Sequence, residues 1–274
     1  MSGSQVLGSI CYKCNYANGV FLDSRTVADA NHTPQNITVR DVALIDWASA
    51  SAGVRVSDGI NITLDHITVL STGSTGNGIM TDDKAAVGVS AASNSVTITN
   101  ILVAGLTPGR GFHITGFNTW TGDEVISNGN GTAFNPPTPS NWTNTSTAAH
   151  LMGTCKVWVP VGALGKGAGT GGSDIGANIL YRTINGVLTT TPLWDPTTGE
   201  FPHGADDLDG TNNVAGDSLK DFHTRINVNT GGCSFPAGYG VTGGPANPST
   251  RELIDFLFAQ PCTMLALMWG QYPL

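Results

Sequence analysis

Three stretches of the chain share one arrangement of apolar and polar positions: Ile37–Ile45 (ITVRDVALI), Ile62–Leu70 (ITLDHITVL) and Val96–Ala104 (VTITNILVA). In each, apolar and polar side chains alternate, as on a strand with one buried face. Two polar residues then interrupt the pattern before it resumes. The interruption predicts a corner between two short strands, with Asp41, His66 and Asn100 at the corner position. Gly-led apolar strands accompany these segments. Gly53–Val56 and Gly88–Ala91 precede the second and third, and Gly111–Ile114 follows the third. The segments begin 25 and 34 residues apart. An interval of ~20–30 residues suits one turn of a repeating β architecture, with longer intervals taken up by inserted loops. At least four such rungs are expected between about Asn36 and Ile126.

The pattern resembles that of the right-handed parallel β-helix repeat superfamily, which includes pectate lyases and polygalacturonases, over roughly residues 36–130. The second half is similar to the C-terminal region of uncharacterised secreted bacterial β-helix proteins. Gly172–Arg182 (GSDIGANILYR), Gly186–Trp194 (GVLTTTPLW) and Ile226–Asn229 (INVN) carry that likeness. The resemblance implies secretion and a polysaccharide ligand. The expected fold is all-β: a right-handed parallel β-helix (solenoid) over residues 1–130, then a linker or loop over 131–154. A β-rich C-terminal region follows over 155–240, and a helix with an apolar tail over 241–274.

Local signals fill in the second half. Lys156–Pro160 reads as a strand. Asn185-Gly186 between Ala177–Ile184 and Val187–Thr190 predicts a hairpin, because Asn-Gly supplies the positive φ angles of a tight turn. Ser249-Thr-Arg-Glu252 is a capping box ahead of a short helix over Leu253–Phe258. The apolar run from Cys262 to Leu274 is expected to pack on the core or to form an interface between copies, so a homo-oligomer assembled through the solenoid ends and this tail is a possible state.

Composition agrees with many short strands and tight turns. Charged residues make up 12% of the chain, against ~25% in an ordinary domain, and 36 residues are Gly. The net charge is −8, and the 12 Lys and Arg form no basic run. Nucleic acid is thereby disfavoured as a partner. An acidic polysaccharide would need a local cationic cluster or a bound divalent cation. No apolar stretch is long enough to span a bilayer, and Met1-Ser-Gly-Ser lacks the features of a signal peptide. Cys11-x-x-Cys14 has no second ligand pair, which disfavours a zinc ribbon. A short-range disulfide or two free thiols remain for it, and Cys155 with Cys233 is a candidate staple.

The chemistry-bearing candidates cluster around residues 81–113. Asp82, Asp83 and Lys84 are followed, one rung later, by Arg110 and His113. Parallel strands stack side chains at ~4.8 Å, so groups far apart in sequence can meet on one face. The order Asp-Asp, rung, Gly-x-Gly looks like the polygalacturonase signature. However, Arg110 occupies the place of the usual His, and the flanking Asn-Thr-Asp and Arg-Ile-Lys motifs are missing. The lyase alternative places calcium between Asp82 and Asp83 and makes Lys84 or Arg110 the base that takes the proton α to a uronate carboxylate. Arg55, His66 and His113 are helpers in that scheme. A second calcium candidate is Asp207, Asp209 and Asn212, whose Asp-x-Asp-Gly-x-Asn opens like a calcium loop but lacks the closing Glu. Gly165–Gly172 lacks the ending of a phosphate loop, and no Gly-x-Ser-x-Gly elbow is present. Trp120 and Trp194, with Arg55, are the expected sugar contacts, since aromatic rings stack on sugar faces. Trp142, Trp158 and Trp269 are further candidates. Two functions follow: a polysaccharide lyase, or a non-catalytic extracellular protein that binds glycans or self-assembles.

Overall fold

The computed structural model describes residues 3–12, 18–23, 33–45, 47, 50–57, 59–71, 73–82, 95–115, 119–135, 142–152, 158–178, 181–184 and 187–192. The described residues are all-β. One six-stranded sheet contains β1 (Gln5–Tyr12), β3 (Thr38–Ile45), β5 (Ile62–Leu70), β7 (Ser95–Ala104), β9 (Thr119–Asn128) and β11 (Trp142–Ser146). A second, five-stranded sheet contains β2 (Asn18–Leu22), β4 (Ala52–Val56), β6 (Asn77–Thr81), β8 (Arg110–Ile114) and β10 (Thr132–Asn135). The chain therefore visits the two sheets alternately, and neighbours within each sheet pair in parallel. The sheets are separate rather than one closed surface, an arrangement compatible with a parallel β-helix.

The corner is real and uses one backbone device throughout. Asp41, His66, Asn100, Glu124 and Asn144 all have φ between 49° and 53°, and Gly8 has φ 62°. Each falls at the unpaired position between two ladder segments of its strand. Left-handed backbone is uncommon for residues with a Cβ, and Asn, Asp and His adopt it more readily than most. Six successive strands of the first sheet thus bend at the same point.

Apolar columns run across the strands on either side of the bend. Val39, Leu64 and Ile98 form one, and Val42, Ile67, Ile101 and Val125 another; all are fully or almost fully buried. The second sheet adds Val54, Ile79 and Phe112 to the same core. Gly19, Gly53, Gly78 and Gly111 hold the second position of four successive strands there. A Cβ at Gly78 would lie 2.2 Å from Val103 Cγ1, and one at Gly53 would lie 3.0 Å from Val69 Cγ1. The bare backbone lets side chains of the first sheet press against the second.

A strand lies at Asn77–Thr81 between the second and third segments, with Gly78 as its glycine, and the expected strand at 88–91 lies outside the described residues. Two differences from the sequence expectation have local causes. Residues 131–154, expected as a linker, carry β10 and β11. Their few apolar groups are the reason: Phe134 stacks on Phe112 at 5.4 Å, and Trp142 meets Phe112, Phe134 and Trp120 edge-on at 5.4–5.8 Å. Gly122 makes room, since a Cβ there would fall 2.2 Å from Trp142 Cδ2. Residues 158–160, expected in a strand, form none. Trp158 is fully buried, Val159 packs with Leu102, Ile126 and Ile175, and Pro160 has no N–H to give a ladder.

The expected hairpin region forms a two-stranded sheet of β12 (Tyr181–Ile184) and β13 (Val187–Pro192). A 3-10 turn at Thr170–Gly172 is the only helical element among the described residues. The helix and tail expected after residue 240 lie outside them. Two compact units divide the chain. The first, comprising Met1–Met152, Lys156–Ile179 and Thr183–Val187, contains both parallel sheets. Among the described residues no helix is long and apolar enough to cross a membrane.

Candidate functional site

Two polar clusters stand out in the first unit, one on each sheet. On the second sheet, Phe21, Arg55, Met80, His113 and Asn135 occupy one register position of five neighbouring strands. Arg55 on β4 and His113 on β8 are only partly buried, and Arg110 at the start of β8 is exposed. Asp82 directly follows β6, fixed by its N–H donating to Val56 O at 3.1 Å.

Arg55 grips Asp82 with both arms of its guanidinium. Nε donates to Oδ1 at 3.1 Å, and the second arm donates to Oδ2. Ser57 Oγ donates to the same Oδ1 at 3.0 Å. The Arg55 guanidinium also lies 5.3 Å from the centre of the Phe21 ring. Hydrogen bonding to Asp82 raises the pKa of Arg55 against the opposing effect of burial. The pair is thus internally neutralised.

Arg110 has no such carboxylate among the described residues. Its guanidinium stands 3.1 Å from His113 Nδ1. Arginine can only donate, so Nδ1 must be the acceptor, which puts the proton of the neutral ring on Nε2. Burial and the charge of Arg110 lower the His113 pKa, and the negative charge of Asp82 partly offsets them. At neutral pH this face therefore presents an exposed cation, unpaired among the described residues, and an imidazole N–H.

Asp82, Arg55, Arg110 and His113 are thereby brought onto one sheet face, whereas Asp83, Lys84 and Trp194 lie outside the described residues. Trp120 is partly buried against the core, 5.7 Å from Trp142. Calcium fits Asp82 poorly as it stands, because both carboxylate oxygens face a guanidinium that a cation would have to displace. Asp207, Asp209 and Asn212 are outside the described residues. Among those described, no group of three or more His, Cys, Asp or Glu is placed to hold a metal ion. Ser57 was not singled out from the sequence. The signal for it was the 25-residue interval to Asp82, equal to the offset between the first two repeats.

The second cluster sits at the corner of the first sheet. Asp41 and His66 are buried at 2% and 6% exposure. Asp65 Oδ1 accepts from Thr99 at 2.9 Å and from Asn100 at 2.8 Å. His66 Nδ1 lies 2.8 Å from that oxygen, close enough for an ion pair but out of line for a hydrogen bond. Arg40 Nε stands 3.5 Å from Asp41 and 3.4 Å from Asp65. Burial pushes the Asp41 carboxyl above its ordinary value, against the pull of His66 and Arg40. Burial alone would do the same to Asp65, but His66, Asn100 and Thr99 outweigh it and hold that carboxyl below its ordinary value.

A loop covers this corner. Thr170 N–H donates to Asn100 Oδ1 at 2.9 Å, Gly176 N–H to Asn100 O at 2.8 Å, Ala177 N–H to Thr68 Oγ1 at 2.8 Å and Asn178 N–H to Asp41 Oδ1 at 3.3 Å. Asn100 on β7, Thr68 on β5 and Asp41 on β3 fix this loop across the three strands. His66, expected as a helper to the site, belongs to this buried cluster.

Comparison of the chain with protein-family models, with curated proteins and with solved structures finds no match.

Proposed function

We propose that this chain is an extracellular, right-handed parallel β-helix protein that binds acidic polysaccharide on the face of its second sheet. One observation carries the reading: Arg110 is an exposed cation with no carboxylate partner among the described residues, held beside the N–H-bearing His113, next to an Arg55–Asp82 pair that is already neutral. A guanidinium with an adjoining donor suits a uronate carboxylate, to which Arg binds in a fork. Parallel strands repeat at ~4.8 Å, so an extended chain can lie across several of them. Cys11 is disulfide-bonded, which supports an oxidising, extracellular setting. Its partner is outside the described residues.

The lyase reading has one observation in its favour. The lowered pKa of His113 keeps its ring neutral at pH 7, as a proton-abstracting base requires. Against it, the Nδ1 lone pair is taken up by Arg110, so catalysis would need that contact to open. Calcium carries no step in either reading.

Calorimetric titration with soluble polygalacturonate tests the binding. Saturable binding, weakened about tenfold in Arg110→Ala, is expected from loss of a charge-assisted contact. No binding by a folded protein would sink the proposal. Ultraviolet absorbance of the unsaturated β-elimination product, followed in the same samples, separates a lyase from a binder.

A further inference from the structure

We infer that Arg110 and His113 form a proton-gated clamp, whose hold on a carboxylated glycan tightens when His113 takes up a proton. The inference rests on the binding face proposed above and says how that face is regulated.

The argument starts from the contact between the two side chains. Arg110 donates to His113 Nδ1 at 3.1 Å, and this hydrogen bond exists only while Nδ1 carries no proton. Protonation puts a second N–H where the acceptor was. Two donors of like charge then face each other, the contact breaks, and the groups separate. An anion placed between or over them satisfies both.

The surrounding charges set the balance. Arg110 lies on the same strand and opposes a charge on His113. Asp82, after β6, favours it, and Arg55 on β4 is tied to Asp82 together with Ser57. The register neighbours of His113 are Met80 on β6 and Asn135 on β10, and neither is titratable. Asp23, after β2, adds a second negative charge that acts on Arg55, so protonation of His113 raises the charge of this face by one beside the exposed Arg110. The bound carboxylate is the partner that the protonated state lacks. A uronate keeps its charge through the imidazole range of about pH 5 to 8, so the protein side of the contact does the titrating.

The test is a pH series of polygalacturonate titrations over that range, on the wild type and on His113→Gln, with far-ultraviolet circular dichroism to show that both are folded. The expected result is about tenfold tighter binding by the wild type at the acid end and a flat profile for His113→Gln. Wild-type binding that is pH-independent, or that weakens on acidification, overturns the clamp and leaves the binding face standing. Absence of wild-type binding at every pH overturns both. Nitrogen chemical shifts of His113 provide a check without glycan: a proton on Nε2 and none on Nδ1 is expected at the alkaline end, and the opposite tautomer overturns the clamp.

Discussion

The two sheets of the first unit receive similar polar side chains and put them to opposite uses. At the corner of the first sheet, Arg40, Asp41, Asp65 and His66 are packed together under a loop, where Asp65 accepts from the neighbouring strand and Asp41 from a loop N–H. On the second sheet, Arg55, Asp82, Arg110 and His113 stand on a partly open face, and Arg110 retains donors directed at no carboxylate among the described residues. An Asp beside a His is therefore no sign of chemistry in this protein. What separates the clusters is burial: the corner is closed over by a loop, and the face of the second sheet is partly open.

Substitutions sharpen that contrast, beginning with the core that both sheets share. Ile98→Ala, at a fully buried position, is expected to cost about 3 kcal/mol in chemical denaturation. Its effect on glycan affinity should be small, because it touches neither cluster. Asp65→Ala should cost about 2 kcal/mol at neutral pH, since Thr99 and Asn100 lose a charged acceptor. The folded carboxyl of Asp65 titrates below 3.8, so its contribution is present above that pH and fades as pH falls through the folded value. The gap between wild type and Asp65→Ala should close in acid.

Asp41 behaves the other way. Its folded carboxyl titrates above 3.8, so its contribution is fully present below that pH and is lost as pH rises through the raised value. Asp41→Asn keeps an oxygen for Asn178 N–H and removes a buried charge, and should gain on the order of 1 kcal/mol at neutral pH. The gain should vanish in acid. A neutral-pH loss instead would mean that the ionised Asp41 is itself a strut of the corner. On the open face the effects are smaller. Arg55→Ala should cost less than ~1 kcal/mol, as for other partly exposed ion pairs. Arg110→Ala should change stability by no more than ~0.5 kcal/mol while weakening glycan binding.

Much of the first sheet was readable from the chain because its signal is periodic. The spacing of Ile37, Ile62 and Val96, with Asp41, His66 and Asn100 at one offset, gave three strands and the bend within them. The later strands were harder. Glu124 and Asn144 take the same left-handed conformation, but Gly122 replaces the apolar group of its column and Trp142 is nearly alone in β11. A pattern of apolar alternation does not report a vacancy filled by an indole from the next strand. The site was legible in its members and not in its pairing. Arg55, Asp82, Arg110 and His113 were each conspicuous, but only the register decides that Arg55 takes Asp82 and leaves Arg110 with His113.

The left-handed column at the corner also acts as a length standard. Each strand of the first sheet is measured from its bend, so the residues between one bend and the next can differ in number without disturbing what lies on either side. Asp41 and His66 are 25 residues apart, His66 and Asn100 are 34 apart, and Glu124 and Asn144 are 20 apart, yet all stand in line. Repeats of different length thus share one framework. The architecture can vary its surface repeat by repeat while its core is copied unchanged.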